Sequence, residues 1–296
     1  MTMDSRQILK RHGRSFHFAS LFLSADHRGR AADLYAFCRQ VDDIADEAAD
    51  KNKAWDELET IKIGLSKGAN GASRNGTSRA AYDLVATVQS DLRTVDLQTQ
   101  DDLIQYAYGV AGTVGLMMCD VLGVHDARAK SYAIDLGIGM QLTNIARDVQ
   151  ADALIGRRYL PMNWTTNLSI GGLARPGPKE QSQIAQGIKQ LLALADQYYD
   201  SAMNGLGYLP VRARFAIFVA ARVYAEIGYK IRRNAYCVWE GRTIVSTARK
   251  LAVTLRAIVD FLTTPRLHRR GVSHDETLHR ALASYAPYGT PGNAGP

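Results

Sequence analysis

"DLGIGMQLTNIARDVQAD", residues Asp135–Asp152, carries two patterns in one stretch. Its first half, through Thr143, has the apolar spacing of a helix wall buried on one side. Its second half sets Asn144, Asp148 and Asp152 four residues apart, so the three stack one turn above another on a single helical face. Gln141 lies one turn earlier, beside them. Like charges at that spacing repel. A stripe of this kind inside an apolar segment needs a reason beyond the helix itself.

Working outward, the same three- and four-residue periodicity recurs in "RAADLYAFCRQVDDIADEAAD", "DDLIQYAYGVAGTVGLMMCDVLG" and "EQSQIAQGIKQLLALADQYYDSAMNGL". It recurs again in "VRARFAIFVAARVYAEIGYKIRR" and "STARKLAVTLRAIVDFL". No alternating run between turn signals predicts a sheet. The expected fold is all-α, one helical bundle over residues 1–265, with roughly eight to ten helices of ordinary length. "SKGANGASRNGTS" (Ser66–Ser78) and "GGLARPGPKE" (Gly171–Glu180) read as loops. Residues 266–296 read as a basic, disordered tail.

The chain has 296 residues, 46% hydrophobic and 22% charged, which is the composition of a globular protein. Its net charge of +7 suits an anionic membrane surface, an anionic substrate or nucleic acid. Nucleic acid is disfavoured, because the basic residues are scattered and aromatics do not interleave them. Cys38, Cys119 and Cys237 are far apart and read as reduced core residues. The amino-terminal segment lacks a signal-type apolar core, and no apolar run is long enough to span a bilayer, so a cytoplasmic location is expected.

"DDIAD" (Asp42–Asp46) repeats the carboxylate spacing, with Arg39 one turn before Asp42 and apolar Leu34, Phe37, Val41 and Ile44 around it. One such cluster reads as a solvated acidic face; two on separate helices point to a hard divalent cation. Magnesium takes a few carboxylate oxygens and fills its remaining positions with water and substrate phosphates. The amide of Asn144 supplies a neutral oxygen. "GRRYLP" (Gly156–Pro161) adds Arg157 and Arg158, fixed cations suited to phosphate. An apolar helical cavity with this mouth suits a long hydrocarbon bearing a diphosphate, whose departure needs a dry pocket and a neutralised leaving group.

These motifs resemble the head-to-head prenyl synthases, the family that includes squalene, dehydrosqualene and phytoene synthases. The resemblance runs from His12 to about Arg256 and rests on "YAFCRQVDDIADE", "YAYGVAGTVGLMMCDVLGV", "MQLTNIARDVQADALIGRRYLP" and "YYDSAMNGLGYLP". The last of these, with "GLMM", looks closest to bacterial phytoene synthases. The resemblance implies a single-domain isoprenoid-synthase bundle with a central hydrophobic cavity. It implies that Asp42 and Asp46 form one metal-binding pair and that Asn144 and Asp148 form the second. Asp152 would complete that motif and assist proton removal. Gln141 and Tyr106 match polar cavity residues, and Arg39, Arg157, Tyr159, Tyr224 and Arg242 match diphosphate contacts or flap residues. In "HGRSF", His12, Ser15 and Phe16 would lie near a substrate diphosphate and chain, with Tyr35 on the facing helix.

The reaction so implied is magnesium-dependent condensation of two geranylgeranyl diphosphates, manganese being an alternative ion and no nicotinamide cofactor being expected. Squalene, dehydrosqualene or presqualene-diphosphate synthesis from farnesyl diphosphate is the alternative within the family. A non-catalytic helical assembly factor is the alternative outside it. From the residues alone, Tyr106 and Tyr108 read as core tyrosines, Gly112 and Gly115 as sites of close helix packing, and the Met117–Met118 pair as core or cavity lining. "RLHRR" (Arg266–Arg270) together with the net charge would hold the protein at an anionic bilayer that receives an apolar product.

Overall fold

The computed structural model describes residues 4–69, 76–166 and 168–285. Twelve α-helices appear among these residues. In chain order they are α1 (Ser5–His12), α2 (Arg14–Ser20), α3 (Ala25–Asp46), α4 (Lys51–Ala69), α5 (Gly76–Ser90) and α6 (Gln100–Ala107). After a π-helical turn at Tyr108–Gly112 come α7 (Thr113–Val121), α8 (Ala127–Leu154), the short α9 (Ile170–Ala174), α10 (Pro178–Gly205), α11 (Val211–Arg233) and α12 (Thr247–Thr263). No strand is present among the described residues beyond a single bridge between Asp96 and Arg158. The segment expected as a loop at Ser66–Ser78 is helical up to Ala69 and from Gly76 onward, and its middle lies outside the described residues.

The helices start where their capping chemistry dictates. Ser24, Asp126 and Ser246 accept backbone N–H bonds at the heads of α3, α8 and α12, and Thr99 with Asp102 forms a reciprocal capping box on α6. Pro178 occupies the first turn of α10, where its missing N–H costs nothing. The far ends of α3 and α8 break the usual pattern. Asp43 and Asp46 close α3, Asp152 closes α8, and no basic residue stands in either last turn. A carboxylate at the negative end of a helix is unfavourable. That local cost recurs at both motifs singled out in the sequence.

The long helix α8 is central, with Ile138, Leu142 and Ala146 fully buried in the main core. It lies along α10, with the Thr143 and Tyr199 hydroxyls 3.1 Å apart. Against α7 and the π turn its backbone comes closer still. A Cβ added to Gly115 would stand 2.1 Å from the Ala133 carbonyl oxygen, and one added to Gly137 would stand 2.1 Å from that of Ala111. Gly115 thus serves close packing, as expected. Between this wall and helices α2, α3 and α11 lies an apolar cavity of about 310 Å³.

The chain after α12 departs from expectation. Residues 266–285 are ordered against the bundle: Leu267 and Leu282 are buried, and two 3₁₀ turns (Pro265–His268 and Glu276–Tyr285) shape the strap. Its anchor is Asp135, fully buried on α8, which accepts bonds from His279 at 2.7 Å, His274 at 2.8 Å and the Ser201 hydroxyl at 2.6 Å. Tyr132 donates to the Val272 carbonyl, and Tyr198 to that of Leu278. A basic composition signalled disorder, but the strap's few apolar and histidine side chains find buried partners, which outweighs its hydrophilicity. The histidine–carboxylate distances are those of hydrogen bonds. Two ligands on one tetrahedral ion, each about 2 Å from it, would stand roughly 3.3 Å apart.

Burial alone would raise the Asp135 pKa, but bonds from both histidines and their charge hold it below the ordinary carboxylate range. A depressed carboxylate pKa stabilises the fold above the ordinary range, and that stability is lost as pH falls through the lowered value. Replacing Asp135 with Asn removes the charge and turns one of its two acceptor oxygens into a donor, and should cost about 2–3 kcal/mol. Denaturant unfolding should show this loss at neutral pH, and limited proteolysis should cut near Val272 faster than in wild type. Unchanged protection of the strap would refute the anchor.

Candidate active site

The two carboxylate motifs meet at the mouth of the cavity. Asp42 on α3 and Asn144 on α8 both line it, together with Gln141, Tyr35, Cys38 and Phe16. Arg157, just beyond α8, reaches back to Asp46 at 2.7 Å and ties the two motifs together. Burial and mutual repulsion set the electrostatics of this mouth. Burial, then repulsion from Asp46, raises Asp42 to about 7. Burial, then repulsion from Asp148, raises Asp152 to about 7. Asp148 is the exception: burial would raise it, but Arg147 and Arg242 hold it below its ordinary value. Arg242 grips it with two bonds of 3.0 and 3.1 Å.

The donor set suits a hard divalent ion. The Asn144 side-chain oxygen is buried with no hydrogen-bond partner, while its amide nitrogen donates to Gln141 at 3.3 Å. An orphaned carbonyl oxygen between rows of mutually repelling carboxylates is what an oxygen-ligated cation satisfies. The residues that would hold it are Asp42, Asp46, Asn144, Asp148 and Asp152.

Of the other expected residues, Phe16, Tyr35 and Gln141 line the cavity. Phe16 packs its ring against Tyr224 at 4.9 Å and Tyr35 at 6.2 Å, so the amino-terminal motif borders the cavity. His12 is exposed at the end of α1 and Ser15 is half-buried in the first turns of α2. Tyr224 is buried beneath the Phe16 ring. Arg39 pairs with Asp43 rather than with Asp42. Tyr106 and Tyr159 stack at 4.6 Å, and both hydroxyls donate to Asp91, at 3.0 and 3.2 Å. Tyr106 thus has the local hydroxyl partner expected of a core tyrosine, and it is not among the residues that line the cavity.

Arg158 does not join the site. It is 2% exposed, pairs with Asp96 at 3.2 Å and donates to the Leu168 carbonyl at 2.6 Å. The neighbouring arginines thus divide, Arg157 toward the carboxylates and Arg158 into the structure that pins the following loop. Sequence reasoning missed Asp91 and Arg147. Asp91 follows α5 with no motif around it, and burial raises it to about 6 against the lowering bonds of Tyr106 and Tyr159. Arg147 did carry a signal, since it lies three residues after Asn144 and so shares its face.

A helical bundle around an apolar cavity, closed at one end by two carboxylate helices, defines the isoprenoid-synthase class. The chain belongs to the squalene/phytoene synthase family, whose profile matches residues 9–250. It is 35% identical to a 15-cis-phytoene synthase of Enterobacter agglomerans, the match covering 82% of this chain and 90% of that one. It is 34% identical to a 15-cis-phytoene synthase of Paracoccus sp., over 86% and 89% of the two chains. Among solved structures, a dehydrosqualene synthase in complex with ligand superposes with a TM-score of 0.75 at 26% identity, covering 88% of this chain and 95% of that one. A squalene synthase from Alicyclobacillus acidocaldarius shares the fold, with a TM-score of 0.66 at 22% identity over 78% and 93% of the chains.

The raised carboxylates give a test that needs no substrate. Folded Asp42 and Asp152 hold protons up to about pH 7 that the unfolded chain releases near pH 4, so the metal-free protein should lose stability as pH rises through that window. Magnesium or manganese should raise the melting temperature by several degrees at about pH 8, and by less at about pH 6, where the ion must displace protons. Calorimetry with chelator or metal checks this; no metal-dependent shift at either pH would refute the cluster.

Proposed function

We propose that this protein joins two molecules of geranylgeranyl diphosphate head to head, through a cyclopropylcarbinyl diphosphate, to give phytoene in carotenoid biosynthesis. The observation that carries this reading is the cavity beneath the carboxylates. It is lined from Asn144 down to Ala129 along α8, a span of roughly 22 Å at 1.5 Å per residue. That reach suits an extended twenty-carbon chain. The relatives named 15-cis-phytoene synthase support the same choice.

In this scheme Asp42, Asp46, Asn144, Asp148 and Asp152 would hold magnesium, which when bound would supply positive charge to the departing diphosphate. Arg157, Arg242 and Arg39 bind diphosphate oxygens as fixed cations, and Arg147 keeps Asp148 ionised and oriented. His12 and Ser15 border the second diphosphate, while Phe16, Tyr35 and Tyr224 cover the chains at the mouth. Val110, Ala111, Met140 and their neighbours exclude water from the allylic cation. Tyr106 and Tyr159 are stacked and held by Asp91, and neither is among the residues that line the cavity. Asp152 does not line the cavity, so we assign it to the metal cluster and not to proton removal. The final proton loss requires no nicotinamide cofactor. Peripheral contact with an anionic bilayer completes the reading, since among the described residues no helix is long and apolar enough to cross a membrane.

Asp42→Asn and Asp148→Asn should each lower turnover by roughly a hundred-fold or more while leaving the helical circular dichroism unchanged. Full turnover by both would sink the assignment. Chromatography after incubation with fifteen- and twenty-carbon diphosphates, with and without reduced nicotinamide cofactor, should show phytoene from the longer substrate alone. A fifteen-carbon preference would favour the squalene-type reaction, and absence of any diphosphate release would favour a non-catalytic role.

A further inference from the structure

Helix α12 is apolar on two sides and buried on only one. Thr254, Ala257 and Phe261 pack inward against α11. Leu251, Leu255, Ile258, Val259 and Leu262 fall on a second face by their spacing, and all five are exposed, Leu262 at 77% and Leu255 at 66%. Ile244, just before the helix, adds a further aliphatic side chain at 66%. Single exposed aliphatics are ordinary on soluble proteins, but a continuous stripe along about three turns marks a surface that meets something apolar.

The surroundings specify the partner. The third face of α12 carries Arg249 and Arg256, and Arg256 is 82% exposed at the side chain. Lys250 stands close enough to Arg14 of α2 to feel its charge. Arg249 pairs with Glu226, while Arg222 and Arg256 share Asp260, so three arginines meet two acids and one positive charge is left over beside Lys250. An aliphatic stripe rimmed by surplus cations is the pattern of a helix that lies in the interface of an anionic bilayer. Two arginines of the "RLHRR" segment are likewise spent locally. Arg266 pairs with Asp200 and Asn204, and Arg270 donates to the Gly207 carbonyl.

The stripe also backs the cavity. Phe22, Phe215 and Phe261 contact edge to face in series at 5.2 Å, linking α2, α11 and α12. On the other side of α11, Ala216, Ile217 and Ala220 form part of the cavity wall. Exposed Leu21 and Val211 flank the same end, where Arg212 donates to the Phe22 carbonyl. We propose that the outer face of α12, with the adjoining ends of α2 and α11, is the surface by which this protein docks on anionic lipid, and that the apolar product leaves the cavity there. The release half of this inference rests on the function proposed above; the docking half does not.

The test is co-sedimentation of the full-length protein with vesicles of phosphatidylglycerol and phosphatidylethanolamine, or of phosphatidylcholine alone. Wild type should pellet with the anionic vesicles and far less with the neutral ones. Leu255→Glu/Leu262→Glu should weaken that binding at least ten-fold, with circular dichroism and turnover in detergent unchanged. Arg266→Gln/Arg269→Gln/Arg270→Gln should bind as wild type. Light scattering on the same samples guards against the rival occupant, a second copy of this chain. Equal pelleting by the leucine variant, or a wild-type dimer that the variant splits while neither binds vesicles, would overturn the proposal. With substrate present, vesicle-bound wild type should deliver its product to the lipid phase. Docking without any turnover in detergent would leave the surface standing and refute the reaction, whereas turnover without docking would do the reverse.

Discussion

Mutual repulsion among carboxylates that the fold forces together is the constraint around which this molecule is arranged. Two helices, α3 and α8, end in aspartates where the helix dipole already disfavours negative charge, and their ends converge at the mouth of a dry cavity. Burial and proximity raise Asp42 and Asp152 toward neutrality, while Arg147 and Arg242 hold Asp148 below its ordinary range and Arg157 pairs with Asp46. Such a cluster persists only because the helices beneath it are fixed elsewhere. The Gly115 and Gly137 contacts lock α8 to α7 and the π turn, and α10 supports its opposite side. Stability in the body is what makes strain at the mouth tolerable.

The π turn fits the same logic. Five residues at Tyr108–Gly112 leave the α-helical pattern and bring Val110 and Ala111 to the cavity wall at the level where α8 carries glycine. Inserted turns of this kind sit where a regular helix would close a functional space. The wall is shaped by backbone irregularity on one side and missing side chains on the other. Apolar substrates offer few hydrogen bonds, so a protein that binds them must discriminate by shape.

Much of this was legible in the sequence, and the reasons are specific. Helical periodicity and the four-residue spacing of "DDIAD" and "NIARDVQAD" are local signals, so the bundle and the acidic stripes could be read directly. Partners chosen by tertiary packing could not. Arg157 and Arg158 are adjacent and chemically identical, yet one turns to Asp46 and the other into the structure beside Asp96. Asp91 sits alone in its segment, and only the fold brings it under two tyrosines. The strap after α12 reads as disordered because its composition is hydrophilic, while its order depends on one aspartate in a distant helix.

That distance has a consequence for how the chain is made. Asp135 lies 139 residues from His274 and 144 from His279. At roughly 5–20 residues per second, a ribosome needs on the order of ten seconds to supply those partners after α8 has emerged. During that interval α8 can pair with α7, but a carboxylate destined for complete burial has water and, once α10 has emerged, the Ser201 hydroxyl alone. The nascent bundle therefore stays open at the end of the cavity nearest Tyr132, and this contact of long sequence separation is among the slowest to form. A chain released before His279 would carry every aspartate of the mouth and still lack the closure beneath it.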